Sequence, residues 1–152
     1  MNKSTKYSKV LFILHMPPPV HGASMVGKYI HDSKIINNAF ECHYLNLALA
    51  KDLDDIGKGG IRKLKEFYKQ LKQIRKQTKL IVPQLCYVTP NAKGGAFYKD
   101  FFVVMLLKMM RQNIVVHYHN KGIATRQNRY FDNLLYSTFF KNLKVILLLS
   151  LI

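Results

Sequence analysis

The chain has 152 residues, enough for one domain with a real core. Its 24 Lys and Arg against 8 Asp and Glu leave a formal net charge of +16. That excludes indifference to anions and implies attraction to nucleic acid, a membrane surface or phosphorylated ligands, without choosing among them.

Residues 1–8 are expected to fray. Lys3, Lys6 and Lys9 before the apolar run Val10–Leu14 imitate a secretory signal. The run is too short for that, and His15 and the prolines Pro17, Pro18 and Pro19 interrupt it. Lys9–His15 instead predicts a first strand and Gly22–Ile36 a helix, with Met25, Val26, Tyr29 and Ile30 on one face. Glu41–Leu47 alternates as a second strand, and Lys51–Gly60 is a loop with three glycines.

Ile61–Lys79 is the clearest helix in the chain. Ile61, Leu64, Phe67, Tyr68, Leu71 and Ile74 recur at helical spacing and predict the buried face. Around them stand Arg62, Lys63, Lys65, Lys69, Lys72, Arg75, Lys76 and Lys79 against one acid, Glu66. A helix of one charge sign either lies solvated on the outside of the domain or rests on an anionic membrane surface; Arg62, Lys65, Lys69, Lys72, Arg75 and Lys76 are the candidate contacts.

Gln84–Thr89 predicts a third strand, followed by the turn-rich loop Pro90–Gly95. Ala96–Arg111 is a helix apolar on most sides, with Phe101–Met110 its most apolar part. Lys108 interrupts that stretch, which lacks the roughly 18 uncharged residues of a membrane span. Asn113–His119 is a fourth strand, Gln127–Asn142 holds a helix rich in Tyr and Phe, and Lys144–Ser150 is a fifth strand. Apolar strands alternating with helices predict an α/β fold: a doubly wound, mainly parallel Rossmann-like sheet of about five strands, with helices on both faces. Cys42 and Cys86 both fall in predicted strands and read as small buried hydrophobes of a reducing compartment.

Three loops converge on the carboxyl edge of such a sheet: Met16–Ser24, Pro90–Gly95 and His119–Gly122. Gly22 at a helix start leaves free N–H groups that favour an anion. His117 and His119 share one face of their strand. His119, at the strand end, stands where a general base or hydroxyl-orienting group belongs; His117 reads better as a hydrogen-bonded core histidine. His21 is open between a functional and a merely exposed residue, His15 orients the loop, and His31 and His43 receive no role. No acid or cysteine lies near the H-x-H pair in sequence, so no metal is expected. Dinucleotide, P-loop, nucleophile-elbow and zinc motifs are absent, as is any nucleic-acid-reading module.

KVLFILHMPPPVHGAS, YVTPNAKGGAFYKD and NIVVHYHNKG, in this order and spacing, resemble the N-terminal domain of bacterial family 4 glycosyltransferases of the GT-B fold. The resemblance runs from about Lys9 to Ser150. It implies that residues 9–152 are the acceptor-side domain, facing across a cleft a second domain that binds the nucleotide sugar. It implies His119 as the catalytic residue. The first turn, at His21, Gly22 and Ala23, would approach the donor's phosphates and the acceptor, the loop with Asn91, Lys93, Gly94 and Gly95 would border the acceptor, and His117 and Asn120 are further substrate-binding candidates. No metal or other cofactor is implied. The expected partners are a lipid-linked or surface-polysaccharide sugar acceptor and, only through the second domain, a nucleotide sugar; no specific nucleic acid is expected. The paired glutamates of that second domain do not occur in this sequence, so the chain alone is expected to be inactive: a fragment, a remnant or half of a split enzyme. In a complete enzyme His119→Ala is expected to cut sugar transfer sharply. The alternative reading is a basic α/β module for phosphorylated ligands or nucleic acid. The expected location is the cytoplasm, with peripheral contact at the inner membrane face.

Overall fold

In a computed structural model, the described residues are 8–47, 61–91, 94–118 and 130–147, with backbone only for 61–63, 131–132 and 147. The elements are β1 (Lys9–Leu14), α1 (Gly22–Asp32), α2 (Lys34–Ala39), β2 (Glu41–Asn46), α3 (Ile61–Ile81), β3 (Leu85–Val88), α4 (Gly94–Met109), β4 (Ile114–Tyr118), α5 (Tyr130–Phe140) and β5 (Lys144–Leu147). All five strands are parallel, in the order β2-β1-β3-β4-β5. This is the doubly wound, Rossmann-like α/β architecture expected from the sequence.

The central strand explains the layering. In β1, Leu11 and Ile13 point to one face and Val10, Phe12 and Leu14 to the other, and all five are buried. Such a strand is stable only when helices cover both faces. On the first face Leu11, Ile13, Cys86, Val88, Ile114, Val116 and Tyr118 pack under Ile74 of α3, Val103, Val104 and Leu107 of α4, and Phe139 of α5. On the second, Val10, Phe12 and Leu14 pack with Ile30 of α1, Ile36 of α2, Tyr44 and Tyr87. Burial pushes the Cys86 thiol up to about 12, as expected for an inert core residue. No helix among the described residues is long and apolar enough to cross a membrane.

Three details depart from the sequence reading. The helix expected over Gly22–Ile36 breaks at Ser33, which is extended (φ −68°, ψ 110°) and whose hydroxyl accepts from Ile36 N at 3.4 Å, starting α2. A serine side chain that bonds nearby backbone competes with the helix ladder. In α3, Phe67, Leu71 and Ile74 face inward as expected, but Leu64 and Tyr68 are exposed. Gln70 and Thr78 take inward positions instead: Gln70 Nε2 donates to Asn46 O at 3.0 Å and Thr78 Oγ1 to Ile74 O at 2.8 Å. Gly94 and Gly95, read as loop, form the first turn of α4. Lys108, which breaks the apolar run, closes the end of α5 by donating to the carbonyls of Thr138, Phe139 and Lys141 at 2.7–2.8 Å.

Val82 ends α3 with φ 51° while its N–H donates to Thr78 O at 3.1 Å. Its side chain is exposed, so the left-handed backbone is compensated by no burial. Val82→Gly is expected to raise stability by about 1 kcal/mol, the cost of that conformation for a residue with a Cβ, read as a higher urea midpoint at constant slope.

Candidate functional site

In this strand order the chain turns from one side of the sheet to the other between β1 and β3. The carboxyl ends of these two strands therefore flank the crevice in which doubly wound domains hold ligands. His15 follows β1 directly, and Thr89, Pro90 and Asn91 follow β3. His15 N donates to Thr89 Oγ1 at 3.3 Å, which joins the two strand ends.

A third component arrives from α4. Phe97, Asp100, Val103, Val104 and Leu107 are its buried stripe, so helical spacing carries one carboxylate into the core. Asp100 is 0% exposed. Its Oδ2 accepts from Asn91 N and from Asn91 Nδ2, both at 2.8 Å, and lies 3.4 Å from His15 Nε2. Asn91 Nδ2 is also 2.9 Å from His15 Nε2. An amide turned the other way would set its oxygen against the carboxylate, so the NH2 spends one hydrogen on Asp100 and the other on His15. His15 Nε2 accepts, and its ring proton sits on Nδ1. Asn91 is thus a bridge, and β1, β3 and α4 are locked together at the crevice.

Two polar atoms of residues beside this bridge, Asp100 Oδ1 and Tyr118 Oη, are buried with no hydrogen-bond partner among the described residues. After burial, the charge of Asp100 is the largest cause holding the Tyr118 phenol above its ordinary range.

Comparison with models of known protein families, with curated proteins and with solved structures finds no match. The chemistry of the site therefore rests on its own geometry.

The loop from Met16 to His21 closes the crevice on the α1 side. Met16 N donates to Asn46 Oδ1 at 3.0 Å, and Ser24 Oγ donates to Pro19 O at 2.8 Å. His21 caps α1: Ser24 N donates to His21 Nδ1 at 3.3 Å, and His21 N donates to Ser24 Oγ at 2.9 Å. Its Nδ1 is occupied as an acceptor, so its proton is on Nε2. The His21 and His15 rings lie 6.5 Å apart. The His21 Nε2–H and the first turn of α1 suit an anion, and the buried carboxylate–amide bridge fixes the strand ends beside them.

Burial, and then the neighbouring His15, hold the His21 pKa below its ordinary 6.5. The folded state thus favours the neutral, capping ring. The stability this adds is whole above pH 6.5 and is lost as pH falls toward the lowered folded-state value. His21→Asn retains a capping oxygen that does not titrate. The stability of wild type minus that of His21→Asn is expected to fall from about pH 8 to about pH 5, measured by urea unfolding at each pH.

The structure brings Asn91, His21, Gly22 and Ala23 to the crevice, with Gly94 and Gly95 at the start of α4 beside it. Ala92, Lys93, His119 and Asn120 lie outside the described residues, and so does the third loop, His119–Gly122. His117 is buried one position short of the end of β4, its Nδ1 hydrogen-bonded to Tyr87 Oη and its ring 5.7 Å from the Tyr87 ring. Burial lowers its pKa, in keeping with a core histidine on the second face of the sheet. Lys65, Lys69, Lys72, Arg75 and Lys76 are all exposed on α3, away from the crevice; the side chain of Arg62 is outside the described residues. No group of three metal-ligating side chains occurs among the described residues.

Sequence reasoning missed Asp100 and Thr89 and gave His15 only an orienting part. The signal for Asp100 was present: it is the one acid at a core position of an otherwise apolar helical stripe.

Proposed function

We propose that this chain is the acceptor-side domain of a GT-B-type glycosyltransferase. A sugar acceptor, lipid-linked or part of a surface polysaccharide, sits over the crevice between β1 and β3. The single observation that carries this reading is the buried His15–Asn91–Asp100 bridge at the point where the strand order reverses, beside the His21-capped start of α1. In this reading Asp100 and Asn91 fix the edge on which acceptor hydroxyls are oriented. His21 Nε2–H and the first turn of α1 face the phosphate of a lipid-linked acceptor. His119 and Asn120, which follow β4 in sequence, are the remaining acceptor contacts of this reading, with His119 as the group that takes the hydroxyl proton. The nucleotide sugar is supplied by a facing domain, and the acceptor places the protein at the cytoplasmic face of a membrane.

The test is ligand-dependent stabilisation of the purified chain. A hexose linked through diphosphate to a short, soluble isoprenoid is expected to raise Tm in proportion to the logarithm of its concentration. UDP-glucose alone is expected to leave Tm unchanged, and no transfer should occur with both present. Stabilisation by UDP-glucose alone, or by neither compound, overturns the reading. The net charge of +16 favours a second reading, a basic module for phosphorylated ligands or nucleic acid. Tighter, salt-dependent binding of random single-stranded DNA than of the isoprenoid compound would select it.

A further inference from the structure

The seam between α3 and α4 carries a second surface, on the outside of the first sheet face. Helical spacing puts Arg75, Lys79, Lys72, Lys65, Lys76 and Lys69 in one continuous sector of α3, opposite the buried Phe67, Gln70, Leu71, Ile74 and Thr78. All six cations are exposed. Two large apolar side chains stand on the α4 side of this sector: Leu64 is 68% exposed and Tyr68 59%, with Lys72 Nζ 4.8 Å above the Tyr68 ring. Across the seam, Phe102 and Met109 share one face of α4, seven residues apart, and are 56% and 81% exposed. Phe67 and Phe102 touch edge to face at 6.3 Å, so the two stripes are continuous. Toward the helix ends the seam opens into a groove of about 470 Å³ with Leu106, Met109, Met110 and Val82 as its apolar lining and Arg75 and Lys79 among its cations.

We infer that this seam docks on an anionic lipid bilayer, with Phe102, Met109, Leu64 and Tyr68 entering the interface and the α3 cations meeting lipid headgroups. The charge is complementary to such a surface and uninterrupted by acid: Glu66, the only acid of α3, lies outside the cationic sector. A solvated helix has no use for four exposed apolar side chains aligned beside its charges, whereas an interfacial helix pair needs that juxtaposition. An acidic protein or nucleic acid would engage the cations and leave Phe102 and Met109 in water. The inference does not rest on the proposed reaction, since it concerns a different face and no sugar.

The chain contains no tryptophan, so Phe102→Trp places a single reporter in the seam. The full-length variant is mixed with phosphatidylcholine vesicles with and without phosphatidylglycerol. Sedimentation with the anionic vesicles only, a blue-shifted emission from the introduced indole and its quenching by brominated acyl chains are expected. Lys69→Gln with Lys72→Gln and Lys76→Gln, all exposed and remote from the core, is expected to weaken binding on the order of a hundredfold, roughly fivefold per lost cation. Met109→Asp is expected to weaken binding while charge-driven adsorption remains. The inference is overturned by absence of binding at low salt, by binding that leaves the reporter in water, or by single-stranded DNA displacing the vesicles.

Discussion

Gly27→Ala will loosen the fold more than the same change at any other described glycine. A Cβ at Gly27 would lie 2.0 Å from His15 O and 3.1 Å from its carbonyl carbon. Both atoms belong to the backbone just after the central strand, so no side chain can rotate away. α1 must lift from β1, and alanine's better helix propensity, about 1 kcal/mol, does not compensate. The expected net loss is about 3 kcal/mol, the upper end of overpacking costs, measured by urea unfolding. Gly22→Ala is the matched comparison: nothing lies within 4 Å of its Cβ, and stability should hold. Because α1 carries His21, the Gly27 variant should also disturb the crevice. If it unfolds at the wild-type midpoint, the close packing of α1 on His15 is wrong.

Asp100→Ala is the second large effect. Removing the fully buried carboxylate leaves the half-buried Asn91 N–H and Asn91 amide without their acceptor. Donors left so cost roughly 1–3 kcal/mol each, and about 3 kcal/mol is expected for the pair after relaxation. Asp100→Asn separates shape from charge. With its amide oxygen in the place of Oδ2 it still accepts both Asn91 hydrogens, and should cost only about 1 kcal/mol. Equal losses in the two variants would mean that the carboxylate is held for its volume and not for the bridge.

Most of the fold was legible because its signals are local or periodic. The unbroken apolar run of β1 demands cover on both faces, and the alternation of strands with helices then leaves little but a parallel, doubly wound sheet. Where the reading failed, a polar side chain had taken an apolar one's place. Ser33 broke a helix that hydrophobic spacing carried through it, and on α3 Gln70 and Thr78 are buried with their side chains bonded to backbone while Leu64 and Tyr68 are exposed. The site was half legible for a similar reason. Sheet geometry alone sends Asn91 and His21 to the carboxyl edge. The partnership of Asp100 with His15, 85 residues apart in sequence, depends on how α4 lies across the sheet, which no local pattern states. Gly27 was passed over because a glycine in a helix pattern looks tolerated until the carbonyl beneath it is in place.

The most direct test of the ligand-bearing crevice is an NMR titration of the histidine rings with the isoprenoid-diphosphate hexose. The ring resonances of His15 and His21 should shift together and saturate at one concentration, while those of His31 on α1 and His43 on β2 stay fixed. Saturable binding that leaves His15 and His21 unmoved would contradict the account.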